Sequence, residues 1–392
     1  MSVEPCSTPA TPPSTPATPP STTAAALPRR TVLRTVAATS GLTAMAALDL
    51  RPTAARAATP EAATSPASSR TELVLLGTSG GPVPMPGRAG PASVLLVDGH
   101  AYLVDCGAGT FGQYAAAGLT AAQLSAVFVT HLHSDHLADL YPLLWLRFGG
   151  FQPLAGPVHV YGPGSAGALP AARPAGRKVA TVCPQAPAPG LTKLWAGQLA
   201  ATAYDVNVRM RSEGWPDIRS VVRTHDIRLP RTGAGPAGPM APAMKPFEVM
   251  RDERVRVTAV LVEHPPVFPS YAFRFDTADG SVVFSGDTAP TGNLELLARG
   301  ADILVHEVMD LPTLTLAGLS SGQLDHMRIS HTDATEVGRI AERAACPVLV
   351  LNHLVPGSTQ LIPDSTWQLK AAQGYSGQVV VGRDLLRLPV GA

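Results

Sequence analysis

Four side chains of metal-binding types lie within six consecutive residues, His131-Leu132-His133-Ser134-Asp135-His136. Imidazole and carboxylate groups suit zinc and similar first-row metals. The simpler alternative is an exposed polar loop in which histidines cluster by chance. That alternative does not explain the position of the motif, which follows the apolar segment Ala126–Thr130 and precedes leucines at helical spacing. We therefore interpret the motif as a metal site.

Three further candidate ligands stand at the ends of other predicted strands. They are His264 after Val255–Val262, Asp287 after Val282–Phe284, and His353 after Val348–Leu351. A single histidine at a strand end is more often structural than a ligand. Three such residues in a chain that also carries the motif indicate that several strand ends converge on one site, since the turn after a strand can direct successive side chains inward.

The elements that must position these residues read as strands mixed with helices. Short apolar segments such as Glu72–Gly77 and Ala101–Val104 predict strands, whereas Phe111–Gly118 and Thr332–Ala344 have helical patterns. Strands and helices on one continuous core indicate a layered α/β domain, which we place at 71–392. Residues of about 162–250 are rich in Pro and Gly and predict an insertion.

The N-terminus has the composition of a targeting segment. Residues 1–28 are nearly all Ser, Thr, Pro and Ala, which predicts disorder. Arg29-Arg30, the apolar run Val36–Leu48 and the small-residue site Ala55–Ala58 then follow in the order of a twin-arginine export signal. The run is too short to span a bilayer, which needs about 20 residues. The sequence thus predicts a signal within 1–57, a linker at 58–70, no stable membrane anchor, and a periplasmic or extracellular location.

The charge balance argues against a nucleic-acid partner. The whole chain has 30 basic and 29 acidic residues, and removing the five arginines and two acids of residues 1–57 leaves 25 and 27, a net charge of −2. Proteins that bind long nucleic acids usually show a basic surplus, although a local patch could still exist. Cys106 and Cys346 lie in apolar segments and are expected to be buried thiols.

With these residues in place, the sequence resembles the metallo-β-lactamase superfamily, most closely the ribonuclease Z group and its arylsulfatase and phosphodiesterase relatives. The resemblance implies an α/β fold, a four-layer αββα sandwich. The segments that carry it, besides the motif, are Leu75–Ser79, Leu103–Gly107, Tyr161–Pro163, Ile303–Glu307 and Ser330–Ala334.

The resemblance also implies roles for single residues. His131, His133 and His264 would hold one metal, Asp135, His136 and His353 would hold a second, and Asp287 would bridge both. Zn²⁺ is the expected ion, with Mn²⁺ or Fe as alternatives, because geometry and availability decide between them. Asp135 could also receive a proton, His331 would protonate the leaving group, and Glu307 would orient His331. Asp105 would fix the ligand loop.

Two further features weigh against a ribonuclease Z role in particular. In that family an RNA-binding arm commonly lies between the ligand histidine that His264 would match and the bridging aspartate that Asp287 would match. Here His264 and Asp287 are only 23 positions apart, which leaves no room for such an arm. An export signal would also separate the enzyme from precursor tRNA. The extra sequence lies earlier, between His136 and His264. There the insertion of about 162–250, which includes Gly233–Pro246, either forms one wall or lid of the pocket or is a surface insertion without a role.

The sequence therefore predicts an exported binuclear hydrolase that cleaves phosphodiester or aryl sulfate bonds of a small-molecule ester by a metal-bound hydroxide. A lactonase or other carbonyl-ester hydrolase of the superfamily is the alternative. A ribonuclease Z-type endoribonuclease and a non-catalytic metal-binding domain rank below it. A homodimer is compatible with the resemblance, although no feature of the sequence shows one.

Overall fold

The computed structural model describes residues 70–83, 85–146, 156–172 and 177–391. The disordered N-terminus and export signal predicted for 1–57 lie outside the described residues, as does all of the predicted linker except Arg70. Those assignments, and the homodimer, stay predictions. Within the described ranges, no helix has both the length and the apolar character needed to cross a membrane.

Fourteen strands in the described part of the chain form two seven-stranded sheets. In chain order they are β1 (Thr71–Gly77), β2 (Ala92–Val97), β3 (His100–Val104), β4 (Leu124–Phe128), β5 (Val158–Pro163), β6 (Val222–Ile227), β7 (Phe247–Arg251), β8 (Arg256–Leu261), β9 (Tyr271–Asp276), β10 (Ser281–Phe284), β11 (Ile303–Met309), β12 (Val348–Val355), β13 (Gln378–Val381) and β14 (Arg387–Pro389). The first sheet has the order β14-β1-β2-β3-β4-β5-β6, and the second has the order β13-β12-β11-β10-β9-β8-β7.

Helices connect these strands. They are α1 (Thr110–Ala116), α2 (Leu140–Leu146), α3 (Leu191–Ala201), α4 (Ala203–Ser212), α5 (Ile218–Val221), α6 (Gly292–Ala298), α7 (Leu311–Leu316), α8 (Ser321–Ser330), α9 (Ala334–Arg343) and α10 (Asp364–Ala371), with short 3₁₀ turns at Ala121–Gln123 and Ser134–His136. The second 3₁₀ turn contains the end of the histidine motif.

The alternation of side chains along each strand builds a core on both faces of each sheet. In β1, Leu73 and Leu75 point into the layer between the sheets, whereas Val74 and Leu76 point to the opposite face. Phe128 of β4 lies in the layer between the sheets, where its ring packs edge-on against Phe273 and Phe275 at centroid distances of 5.6 and 5.0 Å. The two sheets therefore pack face to face.

Helices cover the outer faces of both sheets. Leu144 of α2 and Leu191 of α3 are buried in the cluster on the first sheet. Ile340 of α9 and Trp367 of α10 are buried in the cluster on the second. The result is a four-layer αββα sandwich, as the sequence predicted, and Cys106 and Cys346 are buried free thiols within it.

Two regions differ from the sequence-based expectation. The stretch of about 162–250 contains α3, α4, α5, β6 and β7, so it supplies one edge strand to each sheet. Its many Pro and Gly residues had hidden these regular segments. The last strand before His353 also does not stop at Leu351, because β12 continues to Val355 and His353 sits inside it at a shift in register with β11.

The directions of the strands explain why distant residues meet. Strands β3, β4, β5 and β6 run parallel to one another, as do β10, β11, β12 and β13. Strand β8 points the same way as β10, because both are antiparallel to β9. The segments that follow β3, β4, β8 and β10 therefore emerge at the carboxyl edges of their sheets, and Tyr271 N–H donates to the carbonyl oxygen of Thr130 across the two sheets.

Candidate metal centre

The first group of candidate ligands consists of three histidines whose ring nitrogens face one another. Nδ1 of His133 lies 3.0 Å from Nε2 of His131 and 3.3 Å from Nε2 of His264. His131 and His264 are fully buried. His131 and His133 follow β4 of the first sheet, and His264 follows β8 of the second, so both sheets contribute to the group.

Hydrogen bonds on the far side of two rings determine which nitrogen carries the proton. Nδ1 of His264 lies 2.8 Å from the carbonyl oxygen of Ser330, which can only accept, so Nδ1 is the donor. The hydroxyl of Thr130 donates to the carboxylate of Asp105 and accepts from Nδ1 of His131 at 3.1 Å. Nε2 of both rings is therefore an unprotonated acceptor in the neutral imidazole and directs its lone pair at the other ring nitrogens.

The second group consists of Asp135, His136 and His353. Oδ2 of Asp135 lies 3.6 Å from Nε2 of His136 and 3.7 Å from Nε2 of His353. Nδ1 of His136 lies 2.8 Å from Oδ2 of Asp105, which turns the opposite ring nitrogen toward the group. Both His136 Nε2 and His353 Nε2 are buried without a geometrically acceptable hydrogen-bond partner among the described residues.

Asp287 lies between the two groups. Its Oδ1 is 3.4 Å from Nε2 of His136, and its Oδ2 is 3.1 Å from Nε2 of His353. The same Oδ2 is 3.9 Å from Nε2 of His131 and 4.0 Å from Nε2 of His264. One buried carboxylate thus faces four imidazoles from both groups.

The ionisation of these residues follows from their burial and their neighbours. Burial lowers the pKa of His131 and His133, and that of His264 to about 3. Burial opposes ionisation of Asp135 and Asp287, but the facing histidines outweigh it and lower the pKa of Asp135 to about 2. The first group is therefore a set of neutral imidazoles, and both carboxylates are ionised.

His136 and His353 respond in the opposite direction. Burial alone would lower the pKa of both rings. At His136, Asp287 and Asp105 outweigh burial and raise the pKa. At His353, Asp287 and Asp135 outweigh burial and raise the pKa to about 10. A metal ion takes the place of protons at such nitrogens, because a ligand imidazole must be deprotonated. The site as a whole fits two divalent cations. The first group offers converging lone pairs, the second offers buried nitrogens without a hydrogen-bond partner, and an ionised carboxylate lies between the two groups.

His331 and Glu307 form an acid–base pair beside the ligands. Nδ1 of His331 lies 3.1 Å from Oε1 of Glu307, and that oxygen also accepts from the backbone N–H of Thr288 at 3.0 Å. His331 is 8% exposed, at the point where α8 ends, and it clusters with Asp287 and His353 within 4.8 Å. Burial disfavours its cation, but Glu307 outweighs this and raises the pKa of His331 above its usual value.

The backbone is unusual at three positions around the ligands. Asp105 and His353 have left-handed φ angles of 59° and 44°, which non-glycine residues seldom adopt. Gly286, just before Asp287, has a φ of 58°, and a Cβ there would lie 2.6 Å from the carbonyl oxygen of Tyr271. The surrounding fold stabilises these conformations, and they aim the side chains of the three segments at one point.

Sequence reasoning did not identify three contributors to the site. Thr130 and the carbonyl group of Ser330 hold the rings of His131 and His264. Asn352 is buried beside His353, donates to Ser93 Oγ at 3.1 Å, and has an unpartnered Oδ1. No signal reveals a carbonyl group in advance, since every residue carries one, whereas Thr130 directly precedes the motif and could have been considered.

Three histidines that match no motif, and the stretch Gly233–Pro246, lie apart from these ligands. His159 and His225 stack on each other with a centroid distance of 5.1 Å, away from the ligands, and His100 contacts Ser125. The stretch Gly233–Pro246 is held at Ala241 and Met244 by the side chain of Asn293. No hydrogen bond or ion pair among the described residues joins it to a candidate metal ligand. Its role as a lid therefore remains a hypothesis.

Comparison with known proteins defines the class first. Residues 86–144 match the metallo-beta-lactamase superfamily. The fold resembles the short form of human tRNase Z, with a TM-score of 0.55 and 21% identity over 81% of this chain and 99% of that one. It also resembles the metallo-beta-lactamase fold protein YhfI from Bacillus subtilis, with a TM-score of 0.52 and 18% identity over 81% and 99% of the two chains. The architecture is thus that of the metal-dependent hydrolases of this superfamily.

The sequence relatives define the family. Ribonuclease Z of Mycobacterium sp. (strain KMS) is 33% identical over 323 residues, 81% of this chain and 96% of that protein. Ribonuclease Z of Mycobacterium bovis (strain BCG / Pasteur 1173P2) is 32% identical over 329 residues, 81% of this chain and 98% of that protein. The chain belongs to the ribonuclease Z family of the metallo-β-lactamase superfamily, as the resemblance of its motifs indicated.

The same relatives contradict two predictions made from the sequence. The expectation of an arylsulfatase-like or phosphodiesterase enzyme for small esters is wrong, because the relatives over most of the chain are named Ribonuclease Z. The expectation that a nucleic acid is not a partner is wrong for the same reason. Net charge summed over a whole chain does not report where the charges lie. The short spacing between His264 and Asp287 excludes an arm at that position only.

Proposed function

We propose that this protein is a two-metal ribonuclease that hydrolyses phosphodiester bonds in RNA of the tRNA type. The observation that carries the proposal is the ionised carboxylate of Asp287 between two sets of three ligands, with an acid–base pair next to it. Membership in a family whose relatives bear the name Ribonuclease Z, and structural likeness in fold to a tRNase Z, support RNA as the substrate.

Within this proposal, the candidate ligands hold two divalent cations, most simply Zn²⁺. His131, His133 and His264 would hold one, Asp135, His136 and His353 would hold the other, and the carboxylate of Asp287 lies next to both groups. A pair of such ions lowers the pKa of bound water and stabilises negative charge on the oxygens of the phosphodiester. The facing histidines keep the pKa of Asp135 at about 2, which favours its role as a ligand over that of a proton acceptor.

His331 supplies the proton for the leaving oxygen. Its Nδ1 is bonded to Glu307, so Nε2 is the nitrogen free to donate. Glu307 fixes the ring and favours the protonated form, and its Oε1 is itself fixed by the N–H groups of Thr288 and Thr332 at 3.0 and 3.3 Å. In the reaction the oxygen of water forms a bond to phosphorus and releases a proton to solvent, while the P–O bond to the leaving nucleoside breaks. The leaving oxygen takes the proton from His331, which solvent then reprotonates.

The test is cleavage of a 3′-extended tRNA precursor by the full chain supplied with Zn²⁺. Parallel assays use bis-p-nitrophenyl phosphate, p-nitrophenyl sulfate and an acyl-homoserine lactone. We expect site-specific RNA cleavage that a chelator abolishes and that Asp287→Ala eliminates. Asp252→Ala serves as the matched control, because Asp252 lies at the opposite end of β8 from His264. RNA left intact by a protein that turns over the sulfate or the lactone would refute the proposal.

The role of His331 has its own readout. General acid catalysis contributes typically 10²–10⁴-fold, so His331→Ala should lower kcat on RNA by about that factor. Bis-p-nitrophenyl phosphate has a good leaving group that needs little protonation, so its hydrolysis should fall much less. An equal loss on both substrates, with both metals still bound, would contradict the assignment of His331 as the acid.

A further inference from the structure

Unpaired cations in this protein are concentrated in one segment. Across residues 70–83, 85–146, 156–172 and 177–391, most Lys and Arg side chains lie within 4.0 Å of a carboxylate, as Arg343 and Arg387 do. Those without such a pairing are Arg177, Lys178, Lys193, Arg211, Arg223, Arg228, Arg231, Lys245 and Arg299. Seven of these nine fall within residues 177–231, so internal ion pairs do not account for the positive charge of this segment.

The segment also differs in sign from the remainder of the domain. Residues 177–231 contain nine basic and four acidic residues, a net charge of +5. The rest of residues 70–392 contains 16 basic and 22 acidic residues, a net charge of −6. Of the nine basic residues within 177–231, two form internal ion pairs. Arg209 pairs with Asp205 and Glu213, and Arg219 pairs with Asp217. The others are available to an external anion.

Helices α3 and α4 present part of this segment to solvent on one face. Leu191 and Trp195 of α3 and Val206 of α4 are buried against the first sheet. Side chains on the other face are exposed, namely those of Lys193, Tyr204, Val208 and Arg211. Tyr204, Val208 and Arg211 share that face because they are separated by four and then three residues, about one helical turn each. Tyr204 is 85% exposed, which is unusual for an aromatic side chain.

Arg228 and the start of α3, which carries Lys193, lie at the same edge of the first sheet as the candidate metal ligands that follow β4. Strand β6 is parallel to β5, and β5 is parallel to β4, so Arg228 after β6 emerges at the same edge as His131 after β4. Two strand spacings separate them, about 10 Å. Helix α3 starts at that edge as well, since Leu191 lies against Gly162 at the end of β5.

We propose that Lys193, Arg228 and Arg231 form a surface that holds the RNA backbone away from the scissile bond. We call this group the basic surface. The inference rests on the proposed function and adds the place where the rest of the RNA lies. Unpaired Lys and Arg side chains attract phosphates without breaking internal ion pairs, and their binding releases counterions from the RNA.

The test compares two pairs of substitutions in the full chain. Lys193→Gln/Arg228→Gln removes two cations of the basic surface, and Lys245→Gln/Arg299→Gln removes the two cations of the described residues that lie outside the segment and have no carboxylate partner. Dissociation constants for a 3′-extended tRNA precursor are measured by fluorescence anisotropy across a salt series, without added metal and with chelator to prevent cleavage. Each phosphate contact that is removed should reduce the magnitude of the slope of log K against log salt concentration by about 0.7 to 0.9. The first variant should therefore lose about 1.4 to 1.8, whereas the second should match the parent.

Activity assays separate this inference from the proposed function. The first variant should raise KM for RNA about tenfold or more and leave kcat/KM on bis-p-nitrophenyl phosphate unchanged, because a small ester does not reach the basic surface. A parent protein that binds RNA through these residues but does not cleave it would overturn the proposed function alone. Equal RNA affinity and salt slope in the two double variants would overturn the basic surface alone.

Discussion

The carboxylate of Asp105 connects both groups of ligands, and replacing it by Asn tests the whole arrangement. Its Oδ1 accepts from the N–H of Thr130 at 2.8 Å, and its Oδ2 accepts from Nδ1 of His136 at 2.8 Å. The hydroxyl of Thr130 also donates to it and passes the orientation on to His131. Asn has only one acceptor oxygen, so in either orientation its NH₂ group faces a donor.

The expected size of the effect follows from these contacts. One buried donor without a partner costs about 1–3 kcal/mol, so the free energy of unfolding of the metal-free protein should fall by about that amount. Loss of the hydrogen bond that orients a ligand histidine typically lowers metal affinity or activity by about 10–100-fold. Asn tolerates the left-handed φ of 59° at this position, so backbone strain does not enter the comparison.

Two measurements follow, unfolding in urea with a chelator present and Zn²⁺ affinity by competition with a chromophoric chelator. Asp252→Asn is the matched control, because both oxygens of Asp252 also accept hydrogen bonds, from Tyr102 and from backbone N–H groups, but it touches no candidate ligand. We expect it to lower stability without changing metal affinity. Unchanged Zn²⁺ affinity in Asp105→Asn would refute the argument that Asp105 sets the orientation of the ligands.

Four further predictions concern the metals, pH, the core and the N-terminus. Asp287→Ala should lower the bound metal from about two ions per chain to less than one, whereas His264→Ala should remove about one, as elemental analysis after dialysis would show; equal stoichiometry in the two variants would contradict the bridging position of Asp287. Burial lowers the pKa of His264 to about 3, below its unfolded value near 6.5, so the unfolded chain binds more protons than the folded chain between those pH values. The metal-free protein should therefore lose stability as the pH falls through that window. His264→Gln should make urea unfolding less sensitive to acid there, and an unaltered pH dependence would count against this reasoning. Phe128→Ala should lower the free energy of unfolding by about 3–5 kcal/mol, because its ring packs against three others between the sheets, and a loss below about 1 kcal/mol would show that the layer relaxes to fill the cavity. We retain export as a separate proposal: Arg29→Lys/Arg30→Lys should keep the protein in the cytoplasm if residues 1–57 are a twin-arginine signal, and an identical distribution of parent and variant on cell fractionation would reject it.

The candidate site was accessible to sequence reasoning because its residues are local or follow apolar segments. The motif from His131 to His136 is contiguous, and His264 and Asp287 each follow a strand whose apolar pattern is plain. The four-layer fold followed from the resemblance of these motifs, and the family was identified from the same residues. For these residues, both the chemistry of the side chain and its position after a strand can be read from the linear sequence.

Other features depend on which segments the fold brings together. The hydrogen bond from His264 to the Ser330 carbonyl joins residues 66 positions apart, and Glu307 meets His331 across 24 positions. The helices of 191–212 were hidden because nearby Pro and Gly residues dominate the composition of that region, whereas burial against the first sheet stabilises them. The substrate class was predicted wrongly for a related reason.

Net charge is a sum along the chain, whereas binding of a polyanion depends on where cations remain unpaired. A total of −2 in the predicted mature chain conceals a segment of +5 within residues 177–231. Whether an arginine there is free or paired is decided by tertiary contacts, as Arg209 and Arg211 show, since the first binds Asp205 and the second faces solvent. The sequence by itself thus determined the fold and predicted the candidate ligands, and the tertiary structure decided how those side chains are oriented and which charges are left for a partner.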